Sequence, residues 1–212
     1  MTITVFGATG QVGRRVVLQA LAIGHTVKAF SRNIEGLIDR DLANDKFEAI
    51  QGHLFDEAEV LNAIKGSDAV ISTLGGSFDG TDKTRSLGIK NIIAQMEVAG
   101  VKRIVSLGGM GVLSAEDGSY LIDASDYPQL YKPVGMEHLQ AYLYLKESRL
   151  DWTYVCSPNI LDKDQTGHYI TNADYLPTPN NGEIAAGDIA DFMLKELSDN
   201  KFIHHRVGIS RA

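Results

Sequence analysis

Three glycines, at positions 7, 10 and 13, separate two stretches of different character. Within TITVF (2–6), Ile3 to Phe6 alternate β-branched and aromatic residues as a buried strand does, and an apolar helical pattern opens at Val12. A strand, a tight glycine turn and a helix start, in that order, suit an anion. The first amides of a helix have no intrahelical acceptor and carry a partial positive charge. Gly7 turns the chain, Gly10 lets the backbone approach a diphosphate, and Gly13 lets helix and strand pack closely. The spacing is GxxGxxG, and the ligand it predicts is a dinucleotide.

Further chemistry-bearing residues fall where later strands end. About 20 positions beyond the glycines, an acidic residue would hold the ribose 2′-OH of NAD; the chain has Ser31 and Arg32 instead. A hydroxyl and a guanidinium suit a 2′-phosphate, so NADP(H) is expected over NAD(H). His53 and Leu54, after the third strand, are candidates to flank the adenine, the alternative for His53 being a surface histidine with no ligand. Thr73, Leu74, Gly75 and Gly76 end the fourth strand, and the two glycines permit close approach to ribose and nicotinamide. If the reaction uses a protein acid, Tyr131 and His138 are the candidates; His138 and Tyr142, four residues apart, share one helix face. Cys156 stands alone and reads as a small buried hydrophobe, and no cysteine-rich metal site is possible.

These residues must be positioned by a strand and helix alternation that runs through most of the chain. The first helix ends near Ile23 with Gly24 as its cap, and strands follow at 26–30, 47–51, 68–73, 102–107 and 150–155. The polar segment 34–46 is read as containing a short helix. Intervening helices present Val60, Leu61 and Ile64, then Ile89, Ile92, Ile93 and Met96 over 84–99 with Gly100 as cap, and another spans 135–148. A last helix, with Asp188 as its cap, buries Ile189, Phe192, Met193 and Leu197 before a closing strand at 206–209. This order specifies an α/β fold with a doubly wound parallel (Rossmann) sheet. One domain over 1–212 is expected, with a small C-terminal elaboration on the substrate side. The irregular segments 114–133 and 161–186 are expected as loops over the crevice, with Asn180-Asn181-Gly182 as a hairpin turn.

Charge and composition narrow the function classes. With 44% hydrophobic and 22% charged residues the chain has the balance of a globular domain. A net charge of −7 with no Lys/Arg cluster argues against a nucleic-acid partner and for a small-molecule acceptor. No signal core and no membrane-length apolar run is present, so no membrane association and a cytoplasmic location are expected. The oligomeric state is not legible.

Five stretches together resemble the atypical short-chain dehydrogenase/reductases that include NmrA-like proteins, biliverdin reductase B and NADH-flavin reductase-like proteins. They are VFGATGQVGRRVV (5–17), FSRN (30–33), GHLFD (52–56), DAVISTLGG (68–76) and LKESRLDWTYVCSPN (145–159). The resemblance implies that the glycines and Thr9, Gly10, Gln11 and Val12 hold the pyrophosphate and that Arg32 meets the 2′-phosphate. It also implies that loops 53–54, 74–76 and 158–160, the last being Pro158, Asn159 and Ile160, line adenine, ribose and nicotinamide. Four departures stand out. Gly135, not a lysine, lies four residues after Tyr131; His53 replaces an aspartate; Cys156 replaces an arginine; and glycine at 108 or 109 replaces a serine. Carbonyl reduction by a tyrosine with a lysine-lowered pKa is therefore disfavoured. Hydride transfer to a flavin, quinone or similar conjugated acceptor is the first expectation. A non-catalytic NADP(H) sensor acting through a protein partner is the second, and a sugar-nucleotide epimerase-like isomerase the third.

Overall fold

The TITVF stretch forms β1 (Thr2–Phe6), and the register of its neighbours sets the sheet. The computed structural model describes residues 1–33, 35 and 45–212. β1 is flanked in parallel by β2 (Thr26–Ser31) and β4 (Ala69–Ser72), with Val5 beside Ala29 on one side and Ile71 on the other. Outward from β2 lies β3 (Phe47–Gln51). Outward from β4 lie β5 (Arg103–Gly109), β6 (Asp151–Ser157) and β10 (His205–Arg211), all parallel. β8 (Tyr169–Ala173) ends the sheet antiparallel to β10. The order β3-β2-β1-β4-β5-β6-β10-β8 runs in opposite senses on either side of the β1/β4 pair. At such a switch point the loops diverge and a crevice opens beyond the strands' carboxyl ends.

Helices cover both faces of the sheet. On one side α1 (Gln11–Ala22) presents Val12, Val16, Val17 and Ala20 to the same core as Ile189, Ala190, Met193 and Leu197 of α5 (Ala186–Asp199). On the other, α2 (Glu57–Ile64), α3 (Thr84–Ala99) and α4 (Lys132–Glu147) bury Val60, Ile92, Met96 and Leu145 with Trp152 and Tyr154. Burial of each valine, leucine, isoleucine or methionine among them contributes about 1.5–3 kcal/mol before chain entropy is set against it. Every residue of β4 is buried, which its unbroken apolar run requires of a central parallel strand. Gly24 and Gly100 take positive φ at the ends of α1 and α3, where glycine caps without strain.

Several expectations from the sequence need correction. Segment 161–186 is not a loop over the crevice. It contains the end of β7 (Asn159–Leu161), then β8 and β9 (Glu183–Ala185); β7 and β9 pair in parallel, and β8 extends the main sheet. These strands are short and lack clean alternation, so pattern alone did not reveal them. Asn180-Asn181-Gly182 is no hairpin turn: Asn181 N–H donates to Ser210 Oγ, and Gly182 N–H to Asn180 Oδ1, directing the chain into β9. Asp188 does not cap the last helix, which starts two residues earlier. It is buried and accepts from Thr166 N–H and Oγ1 and from Gly167 N–H. In α2, Ala63 is buried and Leu61 only half-buried, and α4 begins at Lys132. The short helix expected within 34–46 lies outside the described residues.

Candidate functional site

The carboxyl ends of the strands open into a cleft of about 960 Å³. At one end is the glycine turn. Gly7 sits at φ +79°, and a Cβ there would lie 2.5 Å from Thr73 O; a Cβ on Gly13 would lie 2.1 Å from Gly7 O. Only glycine allows this approach of turn, helix and β4. Thr73 Oγ1 donates to Phe6 O and Gly7 O and ties the turn to the neighbouring strand end. Gly10 is the N-cap of α1, without a side-chain cap, and the first turn holds no acid. The opening amides of α1 therefore face the cleft with no competing carboxylate from their own turn, and Gln11 and Val12 line it. A diphosphate fits this cradle in charge and in space. Beside it, Ser31 Oγ lies 3.5 Å from Thr9 Oγ1, and the exposed Arg32 is on the cleft wall.

The far end is floored by Gly75, Gly76, Gly108 and Gly109. Tyr154 fills the space beneath Gly108, where a Cβ would meet its Cε1 at 2.2 Å, and its phenol donates to His138 O at 2.9 Å. His138 lies against Gly109 and lines the cleft. Its Nδ1 is sealed from solvent and has no partner. Burial, reinforced by the positive charge of Arg85, lowers its pKa from 6.5 to about 3, so the imidazole is neutral at ordinary pH. Arg85, on the first turn of α3, is 8% exposed and lines the wall. It donates from Nη1 to Ser77 O and from Nη2 to Gly76 O, both at 3.0 Å, and so holds the glycine loop after β4. Glu137, also buried, is turned away to Lys83 Nζ (2.7 Å) and Ser86 Oγ (2.6 Å).

Of the cofactor-binding and proton-donor candidates named from the sequence, the cleft brings together all but Gly13. Gly7, Thr9, Gly10, Gln11, Val12, Ser31, Arg32, His53, Leu54, Thr73, Leu74, Gly75 and Gly76 line it, as do Tyr131, His138, Pro158, Asn159 and Ile160. Gly13 is off the wall and packs α1 against the turn. Tyr142 shares a helix face with His138 but is buried against Tyr120, Trp152 and Tyr154, away from the cleft. Segment 114–133 contributes Tyr127, Pro128 and Tyr131, whereas of 161–186 Gly182 alone is among the lining residues. Arg85 was missed, and its signal was available: it lies four residues before Ile89, on the stripe that continues through Ile92, Ile93 and Met96. A charge on an apolar stripe must have a buried task. Phe55 and Phe78, 60% and 66% exposed, add an apolar rim that pattern reading did not foresee.

Among the described residues no helix is long and apolar enough to cross a membrane, and no cluster of three or more metal-binding side chains occurs. The chain is similar over its length to several proteins. A Burkholderia pseudomallei structure, of a protein provisionally designated as exported, is 32% identical, with 99% of each chain covered and a TM-score of 0.84. SP1627 of Streptococcus pneumoniae, provisionally designated an NADH-flavin reductase, is 26% identical, with 100% of each chain covered and a TM-score of 0.85. YwnB of Bacillus subtilis, uncharacterized, is 25% identical over 219 residues, covering 99% of this chain and 98% of that one. The family model for NAD(P)H-binding proteins matches residues 7–200, and together with the glycine cradle and the strand order this places the chain in the NAD(P)H-binding family.

Proposed function

We propose that the protein is an NADPH-dependent reductase of a flavin, quinone or similarly conjugated acceptor, of the atypical, NmrA-like branch of short-chain dehydrogenase/reductases. The observation that carries this reading is the acceptor end of the cleft. It is floored by glycines, rimmed by exposed Phe55 and Phe78, and has neither a lysine four residues after Tyr131 nor a protonated imidazole. Such a site does not supply a strong acid to an isolated carbonyl. A conjugated acceptor needs none, because charge delocalises over its rings and water provides the proton; the protein's task is to position the partners and limit side reactions.

When bound, reduced nicotinamide supplies the hydride. The amides opening α1, with Thr9 and Gly10, are placed to hold its diphosphate, and Ser31 and Arg32 a 2′-phosphate. His53 and Leu54 would border its adenine, and Pro158, Asn159 and Ile160, which line the same cleft, its nicotinamide. The designation of the Streptococcus pneumoniae neighbour supports the acceptor class. A reducing cytoplasm, where NADPH is supplied, is the compartment that fits the single buried thiol of Cys156. Following NADPH oxidation with FMN and a panel of quinones tests the proposal; turnover with at least one acceptor is expected, and none with the whole panel overturns it.

A further inference from the structure

The role of His138 at the acceptor end of the cleft rests on the reductase reading. A Cβ on Gly109 would lie 2.9 Å from His138 Cδ2 and 3.4 Å from its Nε2, so the missing side chain at the end of β5 is replaced in space by the imidazole from α4. The ring is anchored at its backbone, where His138 O accepts from the Tyr154 phenol. Its Nδ1 is sealed and unpartnered, and the Cδ2–Nε2 edge lies over Gly109 at the cleft wall. A sealed N–H without an acceptor is rarer and costlier than a sealed lone pair, which puts the ring proton on Nε2.

We propose that His138 acts as a neutral catalytic hydrogen-bond donor, its Nε2–H directed at the oxygen or ring nitrogen on which a conjugated acceptor accumulates negative charge. The role is electrostatic. The acceptor gains two electrons as hydride from reduced nicotinamide and a proton from water, while His138 keeps its own proton, whose loss would leave an imidazolate. A donor fixed before the reaction and pointed at developing charge lowers the barrier without reorganisation.

The surroundings keep the ring in this state. Burial is the larger obstacle to a second proton, and the Arg85 guanidinium from α3 adds to it. From β6, Tyr154 is held neutral by its own burial. Tyr127 and Tyr131, ahead of α4, line the same wall. The adjacent Glu137 is engaged by Lys83 and Ser86, and Asp82 lies beside Arg85.

Two measurements on the full chain test the proposal. In ¹⁵N NMR of the imidazoles in the NADP⁺-saturated protein, His138 should remain an Nε2–H tautomer from pH 8 to 5, and its Nε2 signal should move when FMN is added. In turnover, His138→Phe should lose tenfold to a hundredfold in kcat with NADPH affinity unchanged, and His138→Gln, which offers an amide N–H, should stay within about threefold. Wild-type kcat should be flat from pH 5.5 to 8. Titration of His138 near neutrality, an Nδ1–H tautomer, or wild-type kcat in the Phe variant overturns it. If no acceptor turns over, the reductase reading falls separately. The NMR response to FMN then decides His138: a shift supports a donor to a bound conjugated ligand, and no shift overturns it.

Discussion

At the level of single residues, the cleft divides its charges between two ends. Arg32 stands exposed beside the phosphate cradle and has no carboxylate partner among the described residues. Arg32→Ala should weaken NADPH by about 1.5–3 kcal/mol, the range of a charge-assisted hydrogen bond, and leave NADH nearly unchanged. Calorimetric titration with both coenzymes checks this, and equal losses would show that Arg32 does not read the phosphate. Arg85 acts differently, because two of its nitrogens are committed to the carbonyls of Gly76 and Ser77. A lysine keeps the charge but is a single point donor and cannot span both. Arg85→Lys should therefore loosen the glycine loop and raise the acceptor KM severalfold, with a smaller change in NADPH affinity. An unchanged KM would mean that the loop holds itself.

At the level of elements, the two faces of the sheet are locked by different chemistry. The α1/α5 face is closed at its far end by a buried ion pair: Arg103 Nη2 of β5 donates to Glu196 Oε1 of α5 at 2.9 Å, and Thr153 Oγ1 and Phe202 N–H donate to the same oxygen. Their side chains are 10% and 1% exposed. Removing one partner leaves a buried charge uncompensated, so Glu196→Ala should cost about 3–5 kcal/mol. The double change Arg103→Met with Glu196→Leu should cost much less, which urea unfolding of both variants would decide. The opposite face relies on aromatic packing. Arg206 of β10 lies over the rings of Tyr120 and Tyr142 and donates to Val112 O, Ser114 Oγ and Asp174 Oδ1. It thereby ties the start of segment 114–133, which carries the cleft's Tyr127 and Tyr131, to the last strand.

For the whole molecule, the neutral imidazole in the cleft links stability to pH. The unfolded chain protonates His138 near 6.5 and the folded chain near 3, so between those values the unfolded state binds more protons. Stability from this group is fully present above 6.5 and falls as the pH drops, with a slope of at most about 1.4 kcal/mol per pH unit. Partial exposure of the ring reduces that figure. Thermal unfolding of the wild type should lose more between pH 6 and 4 than that of His138→Gln; parallel curves would show that the ring is not desolvated.

Much of this was determined by the sequence alone, wherever the physics is local. Glycines 7, 10 and 13 require a turn at which backbone meets backbone, and 3.6- and 2-residue apolar periods require helices and strands whose alternation specifies a doubly wound parallel sheet, while its strand order came from the structure. The missing lysine after Tyr131 was equally plain. Short edge elements such as β7, β8 and β9 were not, because three to five residues hold too little pattern and their pairing partners are distant in the chain. Only the tertiary structure brought Arg85 of α3, His138 of α4 and Gly109 of β5 to the cleft, with Tyr154 of β6 packed beneath them. Their chemistry depends on that meeting: a histidine read from sequence as a possible acid becomes a neutral donor when burial and a neighbouring guanidinium remove its second proton.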